Sequence, residues 1–160
     1  MTMTRKDVTY SYDEYAIDEL PASDVQLVEA ARSATHTSYA PYSNFKVGAA
    51  ILLSNNEIVS GSNQENAAFG AGTCAERCAL FYAHAQWPEA KVCTIAIAAR
   101  GVDDQFTEQP IAPCGVCRQA LIEAQKRAGH DVRVIMVGRN KAYVLDSVSR
   151  LLPFQFDEIV

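Results

Sequence analysis

Apolar residues recur at helical spacing from Ser23 onward, with Val25, Leu27, Val28, Ala31 and Ala34 on one face and Ser23 or Asp24 available as the cap. Past a loop marked by Pro41 and Tyr-Ser-Asn, the period changes. KVGAAILLS (46–54) and NEIVSGS (56–62) flank a short Asn-containing turn and read as a β-hairpin. TCAERCALFYAHAQ (73–86) is predicted helix, stopped by Trp87-Pro88. VCTIAIAA (92–99) is continuously apolar, as a strand covered on both faces should be. GVDDQFTEQPIA (101–112) reads as loop, and PCGVCRQALIEAQKRAG (113–129) as helix with Pro113 near its start and Gly129 as its stop. DVRVIMVG (131–138) and KAYVLDSV (141–148) are two further strands, and the tail LLPFQF is apolar.

Strands alternating with helices predict an α/β chain, a three-layer α/β/α sandwich around one mixed five-stranded sheet, with the opening hairpin making the sheet mixed. Residues 1–22 are polar and acidic and are set apart as an N-terminal extension, leaving 23–160 as one domain. No internal repeat interrupts it.

Charge and composition remove several function classes. The formal net charge is −5, which gives no basic footprint for a nucleic-acid partner. No apolar run approaches the ~20 residues of a membrane span, so no membrane partner is expected. MTMTRKDVTYSYDEY lacks the apolar core of a secretory signal. The five cysteines are therefore expected in a reducing cytoplasm, where clustered thiols bind metal or do chemistry more often than they pair.

Three of those cysteines stand at helix starts. Cys114 and Cys117 form a CxxC bite, and Cys74 opens the helix before it. If both helices begin at the same end of the sheet, three thiolates converge, leaving the fourth tetrahedral position of one Zn²⁺ per chain for water. Helix N-termini favour the thiolate form. Three thiolates outweigh Zn²⁺ by one unit of charge, which Arg77, three residues past Cys74, is close enough to offset. Cys78 and Cys93 stand at no helix start and are read as core.

Glu76 supports two readings. Thr73 followed by Glu76 is a capping-box pattern, which would fold the carboxylate back on its own helix. A carboxylate two positions from a ligand can instead take a proton from the water and pass it on. The catalytic reading is preferred, with Thr73 left to cap.

These residues resemble the cytidine deaminase family, specifically its small homotetrameric, three-cysteine type. The likeness runs through YAPYSNFKVGAAIL (39–52), GSNQENAAFGAGTCAERCALF (61–81), APCGVCRQALIE (112–123) and LLPFQF (151–156). It implies Cys74, Cys114 and Cys117 as zinc ligands and Glu76 as proton shuttle. It further implies Asn63 and Glu65 at a ribose 3′-hydroxyl, Phe45 against the pyrimidine, the Ala75 backbone at the base carbonyl, and Phe156 offered to a neighbouring subunit of a homotetramer. Three features depart from the family pattern: Phe69 where Tyr is common, a longer 101–112 segment, and the N-terminal extension.

The resemblance implies hydrolytic deamination of cytidine and 2′-deoxycytidine in pyrimidine salvage. Two alternatives stand beside it. One is the same chemistry on a related aminated nucleoside such as an antibiotic. The other is a non-catalytic zinc module, which would need a fourth protein ligand.

Overall fold

In a computed structural model that describes residues 3–158, the chain folds around a single mixed sheet. Its strands are β1 (Asp13–Ala16), β2 (Lys46–Leu53), β3 (Ile58–Ser62), β4 (Val92–Arg100), β5 (Arg133–Val137) and β6 (Lys141–Leu145). They lie in the order β1-β6-β5-β4-β2-β3, with β4 and β5 parallel and the other neighbours antiparallel. The sheet is one strand wider than the sequence predicts. The extra strand, β1, comes from the stretch set apart as an extension. It pairs with β6 from Asp13 opposite Val144 to Ala16 opposite Lys141. Its residues DEYA carry no apolar alternation, so nothing in the period marks them as a strand.

Three helices complete the layers: α1 (Ala22–Ala34), α2 (Ala75–Gln86) and α3 (Gly115–Ala128). Side chains alternate across a strand, and here the alternation divides the core in two. Ile51, Ile95, Ile97 and Val134 face Ala79, Leu80 and Leu121 of α2 and α3. Ala50, Ala96, Ala98 and Ile135 face Leu27, Val28 and Ala31 of α1. Each fully buried Leu or Ile contributes roughly 1.5–3 kcal/mol over an exposed one.

The alanines on the α1 face let that helix lie close to the sheet. Gly48 takes the approach furthest: a Cβ there would stand 2.2 Å from the Ala31 carbonyl oxygen. Gly61 does the same under α2, where a Cβ would come within 2.5 Å of the Ala79 nitrogen.

Helix ends differ from expectation in two places. α1 begins at Ala22, one residue after Pro21, without a side-chain cap. Ser23 and Asp24 lie inside it, and buried Asp24 accepts a bidentate pair from Arg133 at 3.0 and 3.0 Å. Val25 is exposed, although its spacing placed it on the apolar face. α2 has Cys74 as its N-cap and no side-chain cap bond, so Thr73 does not cap it. The Thr73 backbone instead exchanges two hydrogen bonds with Gln64, both 2.9 Å. α3 ends as predicted, with Gly129 in the left-handed conformation at φ 73.

Topology fixes where the chemistry sits. β3 and β4 are each antiparallel to β2, so they run the same way and end at the same edge of the molecule. α2 follows β3 and α3 follows β4, which brings both helix starts to that edge.

Candidate functional site

At that shared edge the Sγ atoms of Cys74, Cys114 and Cys117 lie within 4.8 Å of one another. Cys74 Sγ and Cys114 Sγ are 3.8 Å apart. A zinc ion with Zn–S bonds of ~2.3 Å in a tetrahedron separates its sulfurs by about 3.8 Å, so the donor set fits that metal. Among the described residues the cluster has three members, the ligand number of a catalytic zinc site and one short of a structural site. The histidines lie elsewhere: His84 meets Arg127 and His130 meets the Asp131 carbonyl.

Cys74 and Cys117 do not titrate like free thiols. A hydrogen bond from Cys117 brings the Cys74 thiol down to about 5 against the cost of burial, helped by Arg77 and Cys114. Cys117 is pushed up in turn, first by Cys74 and then by burial. Arg77 Nη2 donates to Cys74 Sγ at 3.8 Å, the place assigned to it for offsetting thiolate charge.

Glu76 stands in the first turn of α2 and is 4% exposed. Burial raises its carboxyl pKa, with the Cys74 charge adding to the effect. Its own backbone N–H, Cys117 and Arg77 act in the opposite direction. A buried carboxyl with a raised pKa, held beside converging sulfurs, is suited to proton transfer. Ala75 is fully buried at the head of the same helix.

A cleft of about 480 Å³ opens at Cys74, lined also by Tyr42, Ser43, Asn63, Glu65 and Phe69. Asn63 Oδ1 accepts from Ser38 Oγ at 2.5 Å and from the Val47 N–H at 2.8 Å, while Nδ2 donates to the Phe45 carbonyl at 2.9 Å. One Asn63 N–H remains unspent. Glu65 Oε2 accepts the N–H groups of Tyr42 and Ser43 at 2.8 and 3.2 Å, and Oε1 accepts Ser43 Oγ at 2.5 Å. Those bonds, the Ser43 hydroxyl first, hold its carboxyl below the usual range. Together the two side chains offer one free donor and spare acceptor capacity, the pair a hydroxyl requires.

Of the residues assigned from sequence, Asn63, Glu65, Cys74 and Arg77 line this cleft. Phe45 is half-buried within the loop that Asn63 pins and is not among the residues lining the cleft. Phe156 is not brought to it. Phe156 lies in a separate groove with Arg77, Phe81, Gly115 and Val116, its carbonyl accepting from Gln119 Nε2 at 2.6 Å. Sequence reasoning missed Tyr42 and Ser43 as loop-holding residues. Their signal was PYSNF, where Asn44 takes a left-handed backbone, φ 54, that Asn tolerates well. Phe69 is exposed and meets Tyr42 edge-on at 6.3 Å.

Comparison with known proteins gives a consistent set of likenesses. The family model for the cytidine and deoxycytidylate deaminase zinc-binding region matches residues 21–130. The cytidine deaminase of Halalkalibacterium halodurans is 37% identical over 130 residues, covering 81% of this chain and 91% of its own. The crystal structure of cytidine deaminase from Burkholderia pseudomallei superposes with a TM-score of 0.71 at 39% identity, covering 82% of this chain and 98% of that one. That of Mycobacterium tuberculosis gives 0.67 at 26% identity, covering 86% of this chain and 100% of its own.

Proposed function

The chain belongs to the cytidine and deoxycytidylate deaminase family, whose members are zinc-dependent hydrolytic enzymes, and on that premise we propose how its residues deaminate cytidine and 2′-deoxycytidine. The observation that carries the reading is the set of three sulfurs at zinc spacing with buried Glu76 two residues from one of them.

Cys74, Cys114 and Cys117 hold the metal. Bound there, zinc supplies the Lewis acidity that makes a water a competent nucleophile near neutral pH. Glu76 takes a proton from the attacking water and delivers it to ring N3, which makes C4 more electrophilic. As oxygen bonds to C4, Glu76 accepts the second water proton and passes it to the amino group. The C–N bond breaks, ammonia leaves, and the N3 proton stays on the uridine product. Phe45 packs against the ring, the Ala75 backbone meets the base carbonyl, and Asn63 with Glu65 takes the ribose 3′-hydroxyl.

The cleft favours a nucleoside over a nucleotide. Among the described residues that line it, Arg77 is the one cation, and it is turned to Cys74. A 5′-phosphate would find no second Arg or Lys there. The remaining lining is carboxylate, amide, hydroxyl and aromatic.

No helix among the described residues is long and apolar enough to cross a membrane, and we place the reaction in the cytoplasm. Assembly as a homotetramer is supported by the exposed apolar groove that holds Phe81, Val116 and Phe156. In that arrangement Phe156 serves a neighbouring cleft.

The test is direct. The purified protein should carry about one zinc per chain and release ammonia from cytidine and deoxycytidine, but not from cytidine 5′-monophosphate. Glu76→Gln should keep the zinc and lower kcat about a thousandfold. Full activity in Glu76→Gln would sink the assignment.

A further inference from the structure

The turn that follows β4 closes on the strand leading out of Phe45. β2 and β4 are antiparallel neighbours, and their register sets Lys46 opposite Arg100. Opposite residues share a face of the sheet, so two cations sit side by side, an arrangement that is destabilising on its own. Asp104 relieves it. Its Oδ1 accepts from Lys46 Nζ at 2.7 Å, and its Oδ2 accepts from Arg100 Nη1 at 2.9 Å.

Arg100 is buried, and its other hydrogen bond runs from Nη2 to the Thr35 carbonyl at 3.4 Å. A carbonyl carries no net charge, so Asp104 is the counter-ion in contact with that guanidinium. Asp104 reaches both partners from a left-handed backbone, φ 61. Its N–H donates to the Gly101 carbonyl at 3.0 Å, and the Gly101 N–H donates to Gln105 at 2.9 Å. The segment that departs in length from the family pattern is thus an ordered turn with an anion at its tip.

The segment 42–47, the loop and the first two residues of β2, is held at three points. Glu65 takes Tyr42 and Ser43, Asn63 takes Phe45 and Val47, and Asp104 takes Lys46. The first two grips come from the substrate cleft itself. The third comes from the 101–106 turn and acts on the residue next to Phe45.

We propose that Asp104 is a positioning residue for the pyrimidine ring, neutralising Lys46 and Arg100 so that the start of β2, and with it Phe45, keeps its place. The proposal rests on the assignment of Phe45 to the ring wall made above.

Asp104→Asn tests it, because Asn keeps the size, tolerates the left-handed backbone and removes the charge. KM for cytidine should rise about three- to fivefold with kcat unchanged. Lys46→Met, which removes the repulsion along with the contact, should raise KM less than Asp104→Asn does, and adding it to Asp104→Asn should bring KM back down to the Lys46→Met value. An unchanged KM, a fall in kcat alone, or no recovery in the double variant would overturn the proposal. So would a lower melting temperature at wild-type KM, which would make Asp104 a stabiliser of the turn and nothing more. A wild-type chain that held zinc without turning over cytidine would instead defeat the functional reading, and the role of Asp104 with it.

Discussion

Glu65 shows how much one side chain in this cleft is asked to do. It accepts three hydrogen bonds from Tyr42 and Ser43 and still has lone-pair capacity for a sugar hydroxyl. Glu65→Gln replaces an acceptor-only group with one that also donates, and one half of the amide then faces N–H groups. Its kcat/KM for cytidine should fall about tenfold or more, mainly through KM, with zinc content unchanged. A wild-type kcat/KM would remove Glu65 from substrate binding. The three-cysteine cluster was legible in the sequence because thiol spacing and helix starts are local signals. The bonds Glu65 makes were not, because they cross 22 and 23 positions and depend on the turn of Asn44. The capping-box pattern at Thr73 misled for a related reason. Gln64 claims the Thr73 backbone in a bridge, and Cys74 becomes the cap.

Elements meet most closely at two glycines, and the two have different consequences. Gly48→Ala would press a methyl group onto Ala31 of α1 and onto Thr35 just past its end, neither of which is assigned to the site. Overpacking of this kind costs roughly 1–3 kcal/mol, so the melting temperature should fall by roughly 3–10 °C with kcat and KM near wild type. Gly61→Ala presses instead on Ala75 and Ala79 of α2, the helix headed by Cys74 and Glu76. It should weaken zinc retention as well as stability, measured by metal content after dialysis against a chelator. Equal zinc retention in both variants would show that the sheet does not set the height of α2. Periodicity predicted these helices and the five strands β2 to β6. It could not predict β1, whose pairing with β6 is a matter of backbone hydrogen bonds rather than side-chain pattern. Nor could it predict the start of α1, where a part-buried ion pair with Arg133 claims Asp24, one of the two expected caps.

At the scale of the whole molecule, Phe156 belongs to a groove and not to its own chain's cleft. If it completes a neighbour's site, Phe156→Ala should raise KM as a homotetramer. Chains that are inactive through Glu76→Gln but retain Phe156 should lower that KM when mixed and reassembled with Phe156→Ala chains. Four-chain mass by light scattering is the companion measurement, and a monomeric mass with full activity would exclude a shared site. The site has one more consequence for the molecule. Cys74 and Cys114 are 40 positions apart, and β4 lies between them in the chain. Zinc that binds both sulfurs therefore closes a long loop, restricting the unfolded chain at a cost in entropy that grows slowly with loop length. The three-sulfur arrangement needs both helix starts at the edge where β3 and β4 end, so zinc and the seating of β4 in the sheet stabilise one another, and the metal acts as a clasp on the fold as well as a part of the site.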